Sequence, residues 1–291
     1  MTFRQLPLLG LFFFCTALLG CAGVPNVSER QKYANVLVKK NEWQKQVIRT
    51  KRFDLIAFLP NVVHNHKSDV LTVYIEGDGL AWISPNVPSH NPTPINPLAL
   101  KLAINDSSGN VAYLARPCQF VESTSRNCES KLWKEARFST PVIEAMNQAV
   151  QQLKEQTMTK KIRLIGYSGG GAIATLLAEK RKDIEMLITV AGTLDHRAWT
   201  HFHKISPLTE SLNPIDEIHK LKSIPQVHFI GSADRIIPKS ITESFVQEAI
   251  KNEIEKITVR EMPGYTHVCC WVGEWRALQQ SLEPHVKNEF Y

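Results

Sequence analysis

Ser168 stands among glycines, in Gly166-Tyr167-Ser168-Gly169-Gly170. A strand-like stretch, 161–165, precedes it and an apolar helical stretch, 172–178, follows it. The serine therefore sits where a strand turns tightly into a helix. Gly166 and Gly170 leave room for neighbouring backbone in such a turn, and Gly169-Gly170 let the helix start close to the sheet. The partial positive charge of a helix N-terminus favours an oxyanion beside the hydroxyl. A serine hydroxyl alone is a weak nucleophile; it needs a base, and the base needs an orienting carboxylate. Two residues downstream fit those needs. Asp234 follows the apolar run 227–230, in Gly231-Ser232-Ala233-Asp234-Arg235-Ile236-Ile237-Pro238, and His267 follows the run 257–259, in Pro263-Gly264-Tyr265-Thr266-His267. Singly, Asp234 is as well read as a turn cap and His267 as a core histidine. Jointly, each just past a strand end, they predict an acid and a base for Ser168. Asp195, past the run 186–190, is the competing acid.

The glycine-framed serine between strand and helix resembles the nucleophile elbow of the α/β-hydrolases, in which acid and base follow in the order Ser, Asp or Glu, His. The resemblance covers residues 51–291. It implies catalytic residues Ser168, Asp234 and His267, acyl transfer to Ser168, and hydrolysis of the acyl-enzyme with no cofactor and no metal. It also implies an oxyanion hole made of the Gly169 backbone N–H and a second N–H from the loop after an early strand. Here that loop is Glu76-Gly77-Asp78-Gly79. Many relatives carry His-Gly where this chain has Glu76-Gly77, so the second donor lies between Asp78 and Gly79, with Asp78 favoured. The implied function is an ester or thioester hydrolase. An acyltransferase or peptidase on the same triad, and a non-catalytic binding protein on a hydrolase scaffold, are the alternatives.

Those residues need a sheet to hold them. Apolar runs at 53–59, 70–75, 111–115, 162–165, 186–190, 227–230 and 257–259 alternate with helical segments. Several are apolar at nearly every position, as strands covered on both faces must be. The expectation is an α/β fold with a mostly parallel central sheet and helices on both faces. Thr140 is read as the cap of one helix with Pro141 in its first turn, and Ser240 to Glu243 as a capping box opening another. The proline-rich segment 82–98 reads as an irregular stiff loop. The segment 195–222 reads as a small lid inserted between late strands.

The chain has 291 residues, 43% of them hydrophobic, enough for one large core. Its formal charge of +6 is spread along the chain with no basic stripe, which argues against nucleic-acid binding. His64-Asn65-His66 and His201-Phe202-His203 have spacings a metal uses, but no obvious third ligand accompanies either. At the N-terminus, Arg4 precedes an apolar run, 6–19, that is short for a span and suited to a signal. It ends in Leu18-Leu19-Gly20-Cys21, which resembles a bacterial lipobox. That implies a signal peptide over 1–20, lipid on Cys21, and an exported lipoprotein of the cell envelope. Ala22 then points to the outer membrane, facing the periplasm. The expected partners are the membrane, through that lipid, and a small-molecule or lipid acyl substrate. Residues 21–50 read as a tether or N-terminal helix, ahead of a hydrolase domain over 51–291. Export implies an oxidising compartment. Cys118 and Cys128, ten positions apart, are the expected disulfide, worth roughly 2–3 kcal/mol. Cys269 and Cys270 are adjacent. Across a trans peptide their Cα atoms would lie about 3.8 Å apart, below the usual disulfide window of about 4.4–6.8 Å. Two buried thiols are the expectation there.

Overall fold

A computed structural model describes residues 23–61, 68–121 and 125–282. The signal-like segment, Cys15, Cys21, His64 and His66 lie outside the described residues.

Ten strands and seven helices are present among these residues: α1 (Val27–Lys40), β1 (Trp43–Arg49), β2 (Asp54–Pro60), β3 (Val70–Ile75), β4 (Trp82–Ser84), β5 (Val87–Pro88), α2 (Leu98–Ile104), β6 (Asn110–Leu114), α3 (Thr140–Gln156), β7 (Lys161–Tyr167), α4 (Gly169–Lys180), β8 (Ile184–Val190), α5 (His196–His203), β9 (Gln226–Gly231), α6 (Lys239–Lys251), β10 (Ile257–Met262) and α7 (Trp271–Gln280). Eight strands form one sheet in the order β1-β2-β6-β3-β7-β8-β9-β10. Neighbours from β6 through β10 pair in parallel, and β2 runs antiparallel to both β1 and β6.

Alternation along the central strands explains the two-sided cover. Leu71, Val73 and Ile75 of β3, with Ile162 and Leu164 of β7, pack with Val142, Met146 and Val150 of α3 and Ile173 and Leu177 of α4. Tyr74, Ile165 and Tyr167 point the other way, into a layer with Leu98 and Leu102 of α2 and Trp271 and Trp275 of α7. Period-2 alternation with both faces apolar is what a parallel sheet between helix layers requires.

Several local expectations are revised. Within 23–50, the helix α1 matches the helix alternative, and a full sheet strand, β1, follows it. Asn26 caps α1 in a capping box with Glu29, and β1 pairs with β2 over seven residues, Trp43 opposite Pro60 through Arg49 opposite Asp54. As an edge strand β1 buries Trp43 and Ile48 while exposing Val47, so it lacks a clean period. The stiff loop 82–98 contains the short hairpin β4–β5. In α3 the N-cap position is Ser139, whose side chain makes no capping hydrogen bond, and Thr140 and Pro141 lie inside the first turn. Helix α6 begins after Pro238, and the 240–243 capping box does not form.

Cys118 and Cys128 are bridged, with Cα atoms 5.6 Å apart. Cys269 and Cys270 are also bridged, and both are exposed rather than buried. The expectation of free thiols assumed a trans peptide; the bond between them is cis and brings their Cα atoms to 3.1 Å.

Candidate active site

The C-terminal ends of β3, β7, β9 and β10 open on one cavity of about 360 Å³. Glu76, Gly77, Asp78, Gly79, Ser168 and His267 all line it. Ser168 follows β7 directly and is the N-cap of α4, with φ 53° and ψ −124°. A non-glycine residue with positive φ is strained and persists only where its surroundings over-determine it. They do here: Ser168 N–H donates to the Val190 carbonyl at 3.0 Å, and the Ser168 carbonyl accepts from Gly171 N–H at 2.8 Å and Thr193 N–H at 3.0 Å. The glycines are forced by close approach. A Cβ on Gly166 would lie 2.2 Å from the Gly170 carbonyl oxygen, and one on Gly170 would lie 2.3 Å from the Ile75 carbonyl oxygen.

Asp234 follows β9 and His267 follows β10, and the structure brings both to Ser168. His267 Nδ1 lies 2.8 Å from Asp234 Oδ2, and His267 Nε2 lies 3.0 Å from Ser168 Oγ. A carboxylate only accepts, so Nδ1 carries the hydrogen and Nε2 is left to accept from the serine. The Asp234 side chain is fully buried. Its other oxygen accepts from Ile236 N–H at 2.8 Å and Ile237 N–H at 2.9 Å. Two further side chains, absent from the sequence expectations, fix the histidine backbone. Tyr167 Oη donates to the His267 carbonyl at 3.0 Å, and Trp271 Nε1 donates to the same carbonyl at 3.1 Å. Tyr167 precedes Ser168 and Trp271 begins the next helix, but nothing in their local sequence marks their partner.

Asp195 is committed elsewhere. It caps α5 through Arg197 N–H and Ala198 N–H, at 3.1 and 3.2 Å. It also accepts from Asn213 Nδ2 and Ser244 Oγ, each at 2.8 Å. Burial opposes its charge, but those donors together hold its carboxyl below the ordinary value. Asp195 thus ties down the 195–222 segment. That segment is anchored to the core by Leu208, Ile218 and Leu221, and reaches the cavity at Trp199.

The turn after β3 abuts Ser168: a Cβ on Gly77 would lie 3.2 Å from Ser168 Cβ. Gly77 N–H donates to Glu76 Oε1 at 3.0 Å and Leu80 N–H to the Pro92 carbonyl at 3.2 Å. Among the described residues, no hydrogen bond engages the amides of Asp78 and Gly79. Glu76, the departure from the usual His, faces inward. It accepts from Tyr113 Oη at 3.1 Å and Ala99 N–H at 3.3 Å, and burial pushes its carboxyl up to about 7.

No group of three metal-ligating side chains is assembled among the described residues; His201 and His203 lie on α5 without a third ligand. The rest of the cavity wall is largely apolar, with Leu80, Pro94, Ile95, Trp199, Ile236 and Val268.

Residues 109–269 match the dienelactone hydrolase family. The match spans more than half of the chain and includes Ser168, Asp234 and His267. Among solved structures, an α/β serine hydrolase homologue from Coxiella burnetii is similar at TM-score 0.55 and 16% identity, over 84% of this chain and 97% of that one. An esterase from Pyrococcus furiosus is similar at TM-score 0.55 and 14% identity, over 84% and 91%. An acylaminoacyl peptidase from Pyrococcus horikoshii is similar at TM-score 0.61 and 12% identity, over 88% of this chain but 44% of its own. At such identities these likenesses establish the fold. No curated protein sequence matches the chain.

Proposed function

The chain belongs to the dienelactone hydrolase family, and from that premise we propose that it is an envelope-anchored serine hydrolase that cleaves an ester or thioester through Ser168, His267 and Asp234. The observation that carries the reading is the hydrogen-bonded series Asp234–His267–Ser168 at the floor of the cavity. His267 Nε2 takes the Ser168 proton as Oγ forms a bond to the acyl carbon. The carbonyl π electrons move onto oxygen, and the backbone N–H groups of Gly169 and Asp78 stabilise that oxyanion. When the carbonyl re-forms, the bond to the leaving group breaks, and His267 returns the proton to the departing alkoxide or thiolate. Water, deprotonated by His267, then attacks the acyl-enzyme and frees the acid and Ser168. Asp234 holds the tautomer and stabilises the imidazolium.

The apolar cavity wall suits an apolar acyl group. The lipobox-like Gly20-Cys21 and Ala22 support lipid attachment at the outer membrane, facing the periplasm.

Two measurements test this. A fluorophosphonate should label the protein, and Ser168→Ala should abolish labelling while circular dichroism stays unchanged. A panel of acyl esters, thioesters and amides should show turnover of esters or thioesters ahead of amides. Undiminished labelling of Ser168→Ala would falsify the nucleophile assignment. Native material should carry lipid on Cys21 by mass spectrometry; a free Cys21 thiol there rules out the anchor.

A further inference from the structure

The turn that offers the second oxyanion donor, residues 76–79, has no regular secondary structure of its own. Its geometry is set from outside. Arg116 Nη1 donates to Asp78 Oδ1, and Arg137 Nη1 donates to Asp78 Oδ2. Both guanidinium side chains are buried, at 4% and 5% exposure. They are themselves fixed: Arg116 Nη2 donates to the Arg137 carbonyl at 2.7 Å, and Arg137 Nε to the Lys134 carbonyl at 2.6 Å. On the other side of the turn, Gln119 Nε2 donates to the Gly77 carbonyl at 2.9 Å, and Gln119 Oε1 accepts from Arg116 N–H at 3.1 Å. Arg116 and Gln119 flank Cys118, so Gln119 lies inside the loop closed by the Cys118–Cys128 bridge and Arg116 stands two residues before its start.

This cluster also touches the other half of the oxyanion hole. A Cβ on Gly169 would lie 2.1 Å from Asp78 Oδ1 and 2.8 Å from Arg116 Nη1. Burying two guanidiniums against one carboxylate is an expensive way to gain stability, because desolvation of such charges offsets most of their attraction and apolar packing does as well. What a doubly gripped carboxylate supplies is direction. With both Asp78 oxygens and the Gly77 carbonyl held, the peptide between Gly77 and Asp78 has little freedom to turn its N–H away from Ser168.

We propose that Arg116, Arg137 and Gln119 are positioning residues that fix the Asp78 backbone N–H as oxyanion donor, with the Cys118–Cys128 bridge anchoring the chain at Cys118, between Arg116 and Gln119. The inference rests on the serine-hydrolase reading above. It predicts loss of transition-state binding without loss of ground-state binding.

The test uses the full chain, an activated short-chain ester, and a matched inhibitor pair. A trifluoromethyl ketone adds to Ser168 and places an oxyanion in the hole; the corresponding trifluoromethyl alcohol has the same chain and cannot add. Assays run well below each variant's Tm. Arg137→Gln should lower kcat about 10–100-fold, less than the deletion of a whole donor, with KM within about twofold. Ketone affinity should fall by the same factor while alcohol affinity holds, and Arg137→Lys should recover part of both losses. Gln119→Met and the paired change Cys118→Ala with Cys128→Ala should move ketone affinity in the same sense, and they carry the test if Arg137→Gln fails to fold. If kcat stays within about twofold of the parent, or ketone and alcohol affinities fall together, the cluster is structural only and the proposal is overturned. A parent that neither turns over ester nor accepts a fluorophosphonate on Ser168 overturns the hydrolase reading, and this one with it.

Discussion

Two aspartates compete for one role, and their hydrogen bonds separate them. Asp234 has one oxygen on His267 Nδ1 and the other on two backbone amides. Asp195 spends its oxygens on a helix cap, Asn213 and Ser244. Asp234→Asn should therefore lower kcat by about 10⁴ with little change in fold, because the amide disfavours the productive tautomer of His267. Asp195→Asn should leave kcat within about tenfold and lower Tm only slightly, since asparagine caps a helix about as well as aspartate and only the charge assistance to the Asn213 and Ser244 bonds is lost. Steady-state kinetics and thermal melts of the two variants decide it; a larger kcat loss for Asp195→Asn gives that residue the acid role. Both aspartates are visible in the sequence, each just past an apolar run. The partners that separate them are not, because His267, Asn213 and Ser244 fold back from elsewhere along the chain. Arg116 and Arg137 are invisible for the same reason: they lie 38 and 59 positions from Asp78.

At the scale of elements, strands buried on both faces are legible in the sequence and the half-buried edge is not. Runs such as 70–75 and 227–230 are apolar almost throughout, so burial can be read from composition alone. β1 carries Gln44, Lys45 and Gln46 and buries only Trp43 and Ile48, with no alternation to mark it, and so it reads as part of a tether or helix. The structure welds this region to the domain instead. Buried Arg30 of α1 donates to the carbonyls of Asn91, at 3.2 Å, and Thr93. Gln31 Nε2 reaches the Val121 carbonyl at 3.0 Å. The prolines of the 82–98 segment remove donors and leave carbonyls, and an arginine with several N–H groups is suited to collect them. Arg30→Met should keep the packing but leave those carbonyls without a partner, lowering stability by about 1–3 kcal/mol. Because Thr93 also accepts from Phe120 N–H through its hydroxyl, the loosened segment adjoins the Cys118–Cys128 loop. Urea unfolding at constant m measures the loss; a midpoint unchanged by Arg30→Met removes α1 from the folded unit and restores the tether view.

For the whole molecule, buried ionisable groups couple folding to pH, and two of them pull in opposite directions. Burial pushes the Glu76 carboxyl up to about 7 and the His228 imidazole down to about 3. For Glu76 the folded value lies above the unfolded one of about 4.5, so between those values the unfolded chain has released a proton that the folded chain keeps. Stability is lost as pH rises through that window. For His228 the folded value lies below the unfolded one of about 6.5, so its contribution is lost as pH falls from there toward about 3. Between about 4.5 and 6.5 the two slopes nearly cancel, and the parent's own pH profile hides both. The difference between variants does not. Glu76→Gln cannot titrate, so relative to the parent it should gain about 3 kcal/mol in unfolding free energy between about pH 4.5 and 7, at about 1.4 kcal/mol per pH unit. The gain should stop growing above about pH 7, where Glu76 is ionised in both states. The carboxyl accepts from Gly77 N–H, Ala99 N–H and Tyr113 Oη, with Leu100 N–H adding a further backbone bond. Those bonds favour the ionised form and keep its value from rising further. Tyr113→Phe removes one of them and should lift the upper end of the window, so stability goes on falling past about pH 7 in that variant, as Glu76 keeps its proton. Chemical denaturation at closely spaced pH steps reads all three profiles. A parent and Glu76→Gln that run parallel from about pH 4.5 to 7 would mean that the carboxyl titrates as an exposed one, and that the turn beside Ser168 is open to water.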